Sequence, residues 1–351
     1  MSVTEFEYGK LSDGTIVKGF TMKNKNGLSA TVIERGATLI SLMAPDKNGN
    51  FADVVLGLKD AAAYEDNNFC LGATVGRNAN RIEGACFDID GNHYELIKNN
   101  GENNLHTHPE YGYHRRNWEG KAEEGSDSVI FFLEDDGKLT GMPGIFNITV
   151  TYRLTDEDEL LIAYHGVGDT KTIANCTNHS YFNLAGHDAG SVYDHEIRIN
   201  ASRFSADKEG AIPTGEWTPV EGTPMDLRKS TRIGEHIDDD YEQLILTKGY
   251  DHNYCIDDAD HTVREIAQVT EPVSGRVMTV FTDLPGVQFY TANWLEESRG
   301  KDGVVYHPRD SFCLETQYFP NSINQEGFER PVVDAGQEYK TSTIYKFSVL
   351  K

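Results

Sequence analysis

Long apolar runs are missing from this 351-residue chain. None approaches the roughly 18 consecutive apolar residues that would cross a bilayer as a helix, so no membrane partner is expected. Basic residues are also scarce, with 32 Lys and Arg against 56 Asp and Glu, a formal charge of −24. Nucleic acid and anionic membrane both call for basic surface, and neither is expected as a partner. The acidity reads as a device for solubility and is compatible with a neutral ligand. Cysteine is sparse: Cys70, Cys86, Cys176, Cys255 and Cys313 are odd in number, widely spread and form no C-x-x-C pair. That argues against a disulfide framework or a zinc knuckle. The opening Met1-Ser2-Val3-Thr4-Glu5-Phe6-Glu7 lacks the basic and apolar regions of a secretion signal. A reducing cytoplasm is therefore the expected setting, in which the glycosylation-type triplets at Asn147 and Asn200 read as chance matches. No linker, internal repeat or shift in composition divides the chain. The length allows one very large domain or two ordinary ones, and a single domain over residues 1–351 is expected.

What the chain does have is β pattern. Phe146, Ile148, Val150, Tyr152 and Leu154 alternate with Asn147, Thr149, Thr151 and Arg153, the period of two of a strand with one buried face. An acidic turn over 155–159 leads to a second apolar run, 160–164, as a hairpin partner. Asp90-Gly91-Asn92 between 86–89 and 93–96 is a short-hairpin signal, because Gly and Asn tolerate positive φ. Further strands are expected over 30–33, 129–133, 277–282, 287–291 and 343–349. Helical signals are short: one or two turns from Asp60 to Tyr64 with Asp60 as cap, and another from Arg232 to Ile237. No helical stretch is long enough to cross over a parallel sheet, so a doubly wound fold is excluded. The expected fold class is all-β, a large antiparallel β-sandwich.

Several segments put polar side chains and turn residues inside this β pattern. They are Gly76-Arg77-Asn78-Ala79-Asn80-Arg81-Ile82, Asn103-Asn104-Leu105-His106-Thr107-His108, and Asn178-His179-Ser180-Tyr181-Phe182-Asn183-Leu184. They continue with Gly249-Tyr250-Asp251-His252-Asn253-Tyr254, Pro285-Gly286-Val287-Gln288-Phe289-Tyr290-Thr291, and Glu315-Thr316-Gln317 after an apolar strand. An imidazole and a carboxylate from distant segments can meet in one cleft as an acid and base pair.

Taken in order, these segments resemble the aldose 1-epimerase, or galactose mutarotase, family over essentially the whole chain. The resemblance implies a galactose mutarotase-like β-supersandwich that uses no metal or organic cofactor and interconverts the α and β anomers of a free aldose. It implies His179 as general acid and Glu315 as general base, with Asn80, Arg81, His106, Asp251 and Gln288 as sugar contacts. The partner is then a small-molecule aldose such as galactose or glucose, and the protein a monomer or homodimer. Opening a pyranose takes a proton from the C1 hydroxyl and delivers one to the ring oxygen, and each positioned transfer is worth roughly 10²–10⁴-fold. On this reading Glu315 starts ionised and His179 protonated, each charge favouring the other. Tyr181 and Phe182 are expected to pack behind His179. Trp294 reads as a sugar platform or as core.

The pattern departs from the family at Thr107-His108, where two glycines commonly follow the histidine, so a differently shaped loop is expected. Three other readings compete. A hexose-6-phosphate 1-epimerase would need a basic pocket, for which Arg77, Arg115 and Arg116 are the candidates. A non-catalytic sugar-binding protein would have no need of both His179 and Glu315. His106-x-His108 with Glu110 is a possible metal pattern, although Pro109 disturbs the strand.

Overall fold

A computed structural model describes residues 2–122, 127–296 and 298–350. Alternation of apolar and polar residues builds three large antiparallel sheets, beside which the described residues form five two-stranded ones. The largest has nine strands, in the order Glu119–Ala122, Ser128–Asp135, Phe146–Leu154, Glu159–Gly168, Glu338–Val349, Arg276–Thr282, Arg264–Thr270, Glu196–Ile199 and Thr231–Arg232. A five-stranded meander runs from Ser2–Lys10 to Phe51–Asp53. A second five-stranded sheet has the order Ile212–Pro219, Arg203–Lys208, Asp251–Cys255, Gly286–Tyr290 and Cys313–Gln317. All three supply side chains to one apolar cluster: Phe20 and Val32, Val150 and Tyr345, Phe204 and Val287, each fully or almost fully buried.

The strand at 146–154 buries every other residue, as its period predicts, and pairs antiparallel with Glu159–Gly168 across the acidic turn. The remaining expected strands form, most with boundaries extended by a residue or several; the one expected over 287–291 forms one residue earlier, as Gly286–Tyr290. The 86–96 hairpin is tighter than expected. Asn92 pairs with Ile89 and the loop is Asp90-Gly91 alone, with φ of 50° and 78°. Two residues with positive φ twist with the strands they join, and this favours the two-residue turn.

Helices are few and short. The segment near Asp60 is a single 3₁₀ turn, Ala63–Asp66, begun by the Ala63 amide donating to Asp60 Oδ1 at 3.0 Å. Ile233–His236 forms the expected turn of α-helix. A second one, Glu242–Thr247, has no clear apolar period and was not expected; it ends on Lys248 in the left-handed region. No helix among the described residues is long and apolar enough to cross a membrane.

Candidate active site

The last three strands of the second five-stranded sheet set the site. In an antiparallel ladder, residues directly opposite share a face. Asn253, Gln288 and Glu315 lie in one row across them, and Asp251, Tyr290 and Cys313 in the next. Segments from distant parts of the chain join this face in lining a cavity of about 480 Å³. That is within the usual range for small-molecule sites. Asn80, Arg81, His106, His179, Asp251 and Glu315 all line it, although they are up to 235 positions apart (315 − 80).

His179 is held on every side. Its amide donates to Ala73 O and its carbonyl accepts from Gly72 N, both at 2.9 Å. Tyr181 stacks on the ring at 5.0 Å, and His106 and Tyr290 meet it edge-on at 5.4 and 6.2 Å. Tyr181 is thus the support expected of it. Phe182 is not: successive strand-like side chains point to opposite sides, and Phe182 packs into the main core against Phe312 and Tyr345.

His179 Nε2 lies 3.5 Å from Glu315 Oε1. Both groups are buried, and among the described residues Glu315 Oε2 has no hydrogen-bond partner. Burial, reinforced by the Asp251 carboxylate, pushes the Glu315 carboxyl well above its usual range, while Arg81 pulls it back. Burial likewise pushes His179 down to about 4. Both shifts oppose the expected start with a charged carboxylate and imidazolium, because a water-poor site disfavours separated charge. Burial thus favours an uncharged pair with the shared proton on Glu315.

Around this pair the polar groups are linked. Arg81 Nε donates to Asn100 Oδ1 at 3.1 Å, and its Nη2 lies 3.9 Å from Asp251 Oδ2. Gln288 Nε2 donates to Asp251 Oδ1 at 2.8 Å, and Gln288 is behind the cavity wall rather than on it. Burial raises the Asp251 carboxyl, with Arg81 and Gln288 opposing. His106 Nδ1 accepts the Asn80 amide at 3.1 Å, and burial holds the ring well below its ordinary pKa. The neutral ring therefore carries its proton on Nε2 and offers the cavity a donor.

That tautomer also bears on metal binding. His106, His179 and Glu315 present one ligand-type atom each within 4.8 Å of one another. Metal binding needs a bare nitrogen, and the amide at Nδ1 keeps the His106 proton on the other side. The donor set does not fit an ion as it stands. The H-x-H reading fails separately, since His108 Nδ1 accepts the Glu110 and Tyr111 amides at 3.0 and 3.1 Å, capping its own turn.

The loop departure is also resolved. His106 and Thr107 both take positive φ, 53° and 69°. Thr107 holds the backbone shape that glycine adopts without cost by binding Asn78 through its hydroxyl, which accepts the amide at 2.9 Å and donates to the carbonyl at 3.0 Å.

None of the three proposed phosphate-binding arginines reaches the cavity. Arg77 is fully buried, with Asp135 2.9 Å from Nη2 and backbone carbonyls of Pro143, Asp135 and Gly144 around it. Arg115 faces Asp66 at 3.8 Å, and Arg116 reaches the Glu134 carbonyl at 3.5 Å. Trp294 lines the cavity mouth, 43% exposed, with Lys248 Nζ 4.4 Å from its ring centroid, so it is not core. Sequence reasoning missed Cys313, Tyr290 and the helix-borne Leu246 and Thr247. Cys313 and Tyr290 could have been found from the strand period, two residues before Glu315 and two after Gln288. The short helix gave no comparable signal.

Fold and cavity together define a β-sandwich protein with a buried carboxyl and imidazole pair in a cavity of small-molecule size. The sequence matches the aldose 1-epimerase family over residues 18–346. It is 39% identical to galactose mutarotase of Sus scrofa over 99% of both chains, and 32% identical to aldose 1-epimerase of Escherichia coli over 95% of this chain and 96% of that one. A solved aldose epimerase homologue from C. elegans superposes with a TM-score of 0.86 at 29% identity, covering 94% of this chain and 98% of that one. The chain belongs to the aldose 1-epimerase family. Its activity is that of an isomerase, interconverting the α and β anomers of aldoses.

Proposed function

We propose that Glu315 and His179 carry this reaction on a free, uncharged hexose of the galactose or glucose type. The observation that supports it most is the pair itself: a buried carboxyl and imidazole 3.5 Å apart, with one carboxyl oxygen lacking a hydrogen-bond partner among the described residues. Hydroxyl groups of a bound sugar donating to Glu315 favour its carboxylate form, moving the shared proton to His179 Nε2. Glu315 then takes the proton of the C1 hydroxyl as His179 protonates the ring oxygen, and the C1–O5 bond opens. The aldehyde turns about C1–C2 and recloses from its other face, with the two groups exchanging roles. Arg81, His106 and Asp251 hold the sugar hydroxyls, Asn80 sets the His106 ring, and Gln288 holds Asp251.

The site draws on residues from 68 to 315, which supports reading the chain as one functional domain. The five cysteines are free, as suits a reducing cytoplasm. Galactose is the sugar named for the porcine relative and is the first to test.

Polarimetry on freshly dissolved α-D-galactose and α-D-glucose tests the assignment. His179→Asn and Glu315→Gln should each lose at least about a hundredfold in kcat while remaining folded. Wild-type rates in either variant would remove the pair from the mechanism.

A further inference from the structure

Cys313 faces the side of His179 opposite Glu315. Residues two apart on a strand share a face, so Cys313 and Glu315, both on the strand Cys313–Gln317, meet the same imidazole. Glu315 Oε1 is 3.5 Å from Nε2, and Cys313 Sγ is 3.5 Å from Nδ1. Tyr181 packs on one face of the ring and Tyr290 meets it edge-on, holding it between them. Tyr290 is the direct strand partner of Cys313.

On the proposed reading, Nε2 is the nitrogen that gains and loses a proton during turnover. It must therefore be bare in the neutral ring, which puts the remaining proton on Nδ1. The histidine side chain in water prefers the other tautomer, with its proton on Nε2, so an acceptor at Nδ1 is needed to hold this one. We propose that Cys313 is a positioning residue whose sulfur accepts the Nδ1–H of His179 and so keeps Nε2 available to the sugar. Burial holds the thiol protonated. The contact is accordingly a neutral hydrogen bond to a weak acceptor, with no thiolate chemistry.

The test is the ¹⁵N spectrum of histidine-labelled wild-type protein at neutral pH, with the His179 ring assigned by its loss in His179→Gln. The expected result is a protonated Nδ1 and a bare Nε2. Cys313→Ala should move the ring toward the Nε2–H tautomer and lower kcat about two- to tenfold, the worth of one neutral hydrogen bond, with KM unchanged. Cys313→Ser, which restores an acceptor, should recover the tautomer and most of the rate. A wild-type ring already protonated at Nε2 overturns the inference whether or not either variant folds. So does a Cys313→Ala protein with unchanged tautomer and kcat. The inference rests on His179 being the proton carrier, and that reading fails separately if His179→Asn keeps its activity.

Discussion

His195 shows at single-residue scale what burial does to the histidines of this chain. Its Nε2 accepts the Leu184 amide at 2.9 Å, which needs a neutral ring, and burial pushes its pKa down to about 4 from 6.5. The unfolded chain binds a proton below pH 6.5 that the fold refuses until about pH 4. Stability from this ring is therefore present above pH 6.5 and falls as pH drops toward 4, at about 1.4 kcal/mol per unit. Urea unfolding should show His195→Asn losing about 2 kcal/mol less than wild type between pH 7 and 5; equal losses would mean that the folded ring titrates normally. His179 obeys the same physics, and here the sequence reading went only part of the way. The presence of His179 and Glu315 in one cleft was legible from motifs. Their resting protonation was not, because it depends on how much water the surrounding Tyr181, Tyr290 and His106 exclude.

Elements decide the next level. The strand Ser128–Asp135 ends on Asp135, which holds Arg77 through Nε at 2.9 Å in a site where both side chains are almost wholly shielded. Asp135→Asn would leave the guanidinium charge buried and unpaired, costing about 3–5 kcal/mol. Chemical unfolding should show that loss, while anomer exchange by the folded fraction persists, since Arg77 is away from the cavity. A variant as stable as wild type would mean that Arg77 finds other compensation. The same ion pair explains why Arg77 is no phosphate ligand. Sequence shows two guanidinium groups four residues apart in 77–81, and only the fold sends one into the core and the other, Arg81, to the cavity. The strand at 146–154 was readable to the residue because period two is local. Helix Glu242–Thr247 was not, because its place is set by Leu244 packing into the core and by the Gln243 side chain pairing with the Asp207 backbone.

At the scale of the whole molecule, the proposed function makes a prediction about charge in the substrate. The chain carries −24, and the cavity's arginine, Arg81, already faces Asp251. A phosphorylated hexose would bring two negative charges to a cavity whose arginine is already turned to the Asp251 carboxyl, leaving Lys248 at the mouth, against Trp294, as a further cation among the described residues. Juxtaposed like charges cost several kcal/mol, so kcat/KM on glucose 6-phosphate should be at least about a hundredfold below that on glucose. Comparable values on the two sugars would sink the free-sugar reading. Turnover of a neutral sugar should also change little with added salt, as steering by long-range charge has no part in it.

The sequence by itself determined the antiparallel β architecture, the family, and most of the polar residues of the cavity. Strand period and ordered motifs are written in neighbouring residues, so they survive without knowledge of the rest of the chain. Only the tertiary structure decided which arginine is buried, that Gln288 stands behind Asp251, that Phe182 belongs to the core, and that Cys313 faces His179. Each of these depends on which side of a strand or loop faces another element far away in the chain. Pairing register and burial set that arrangement, and through the exclusion of water they also set where the protons reside.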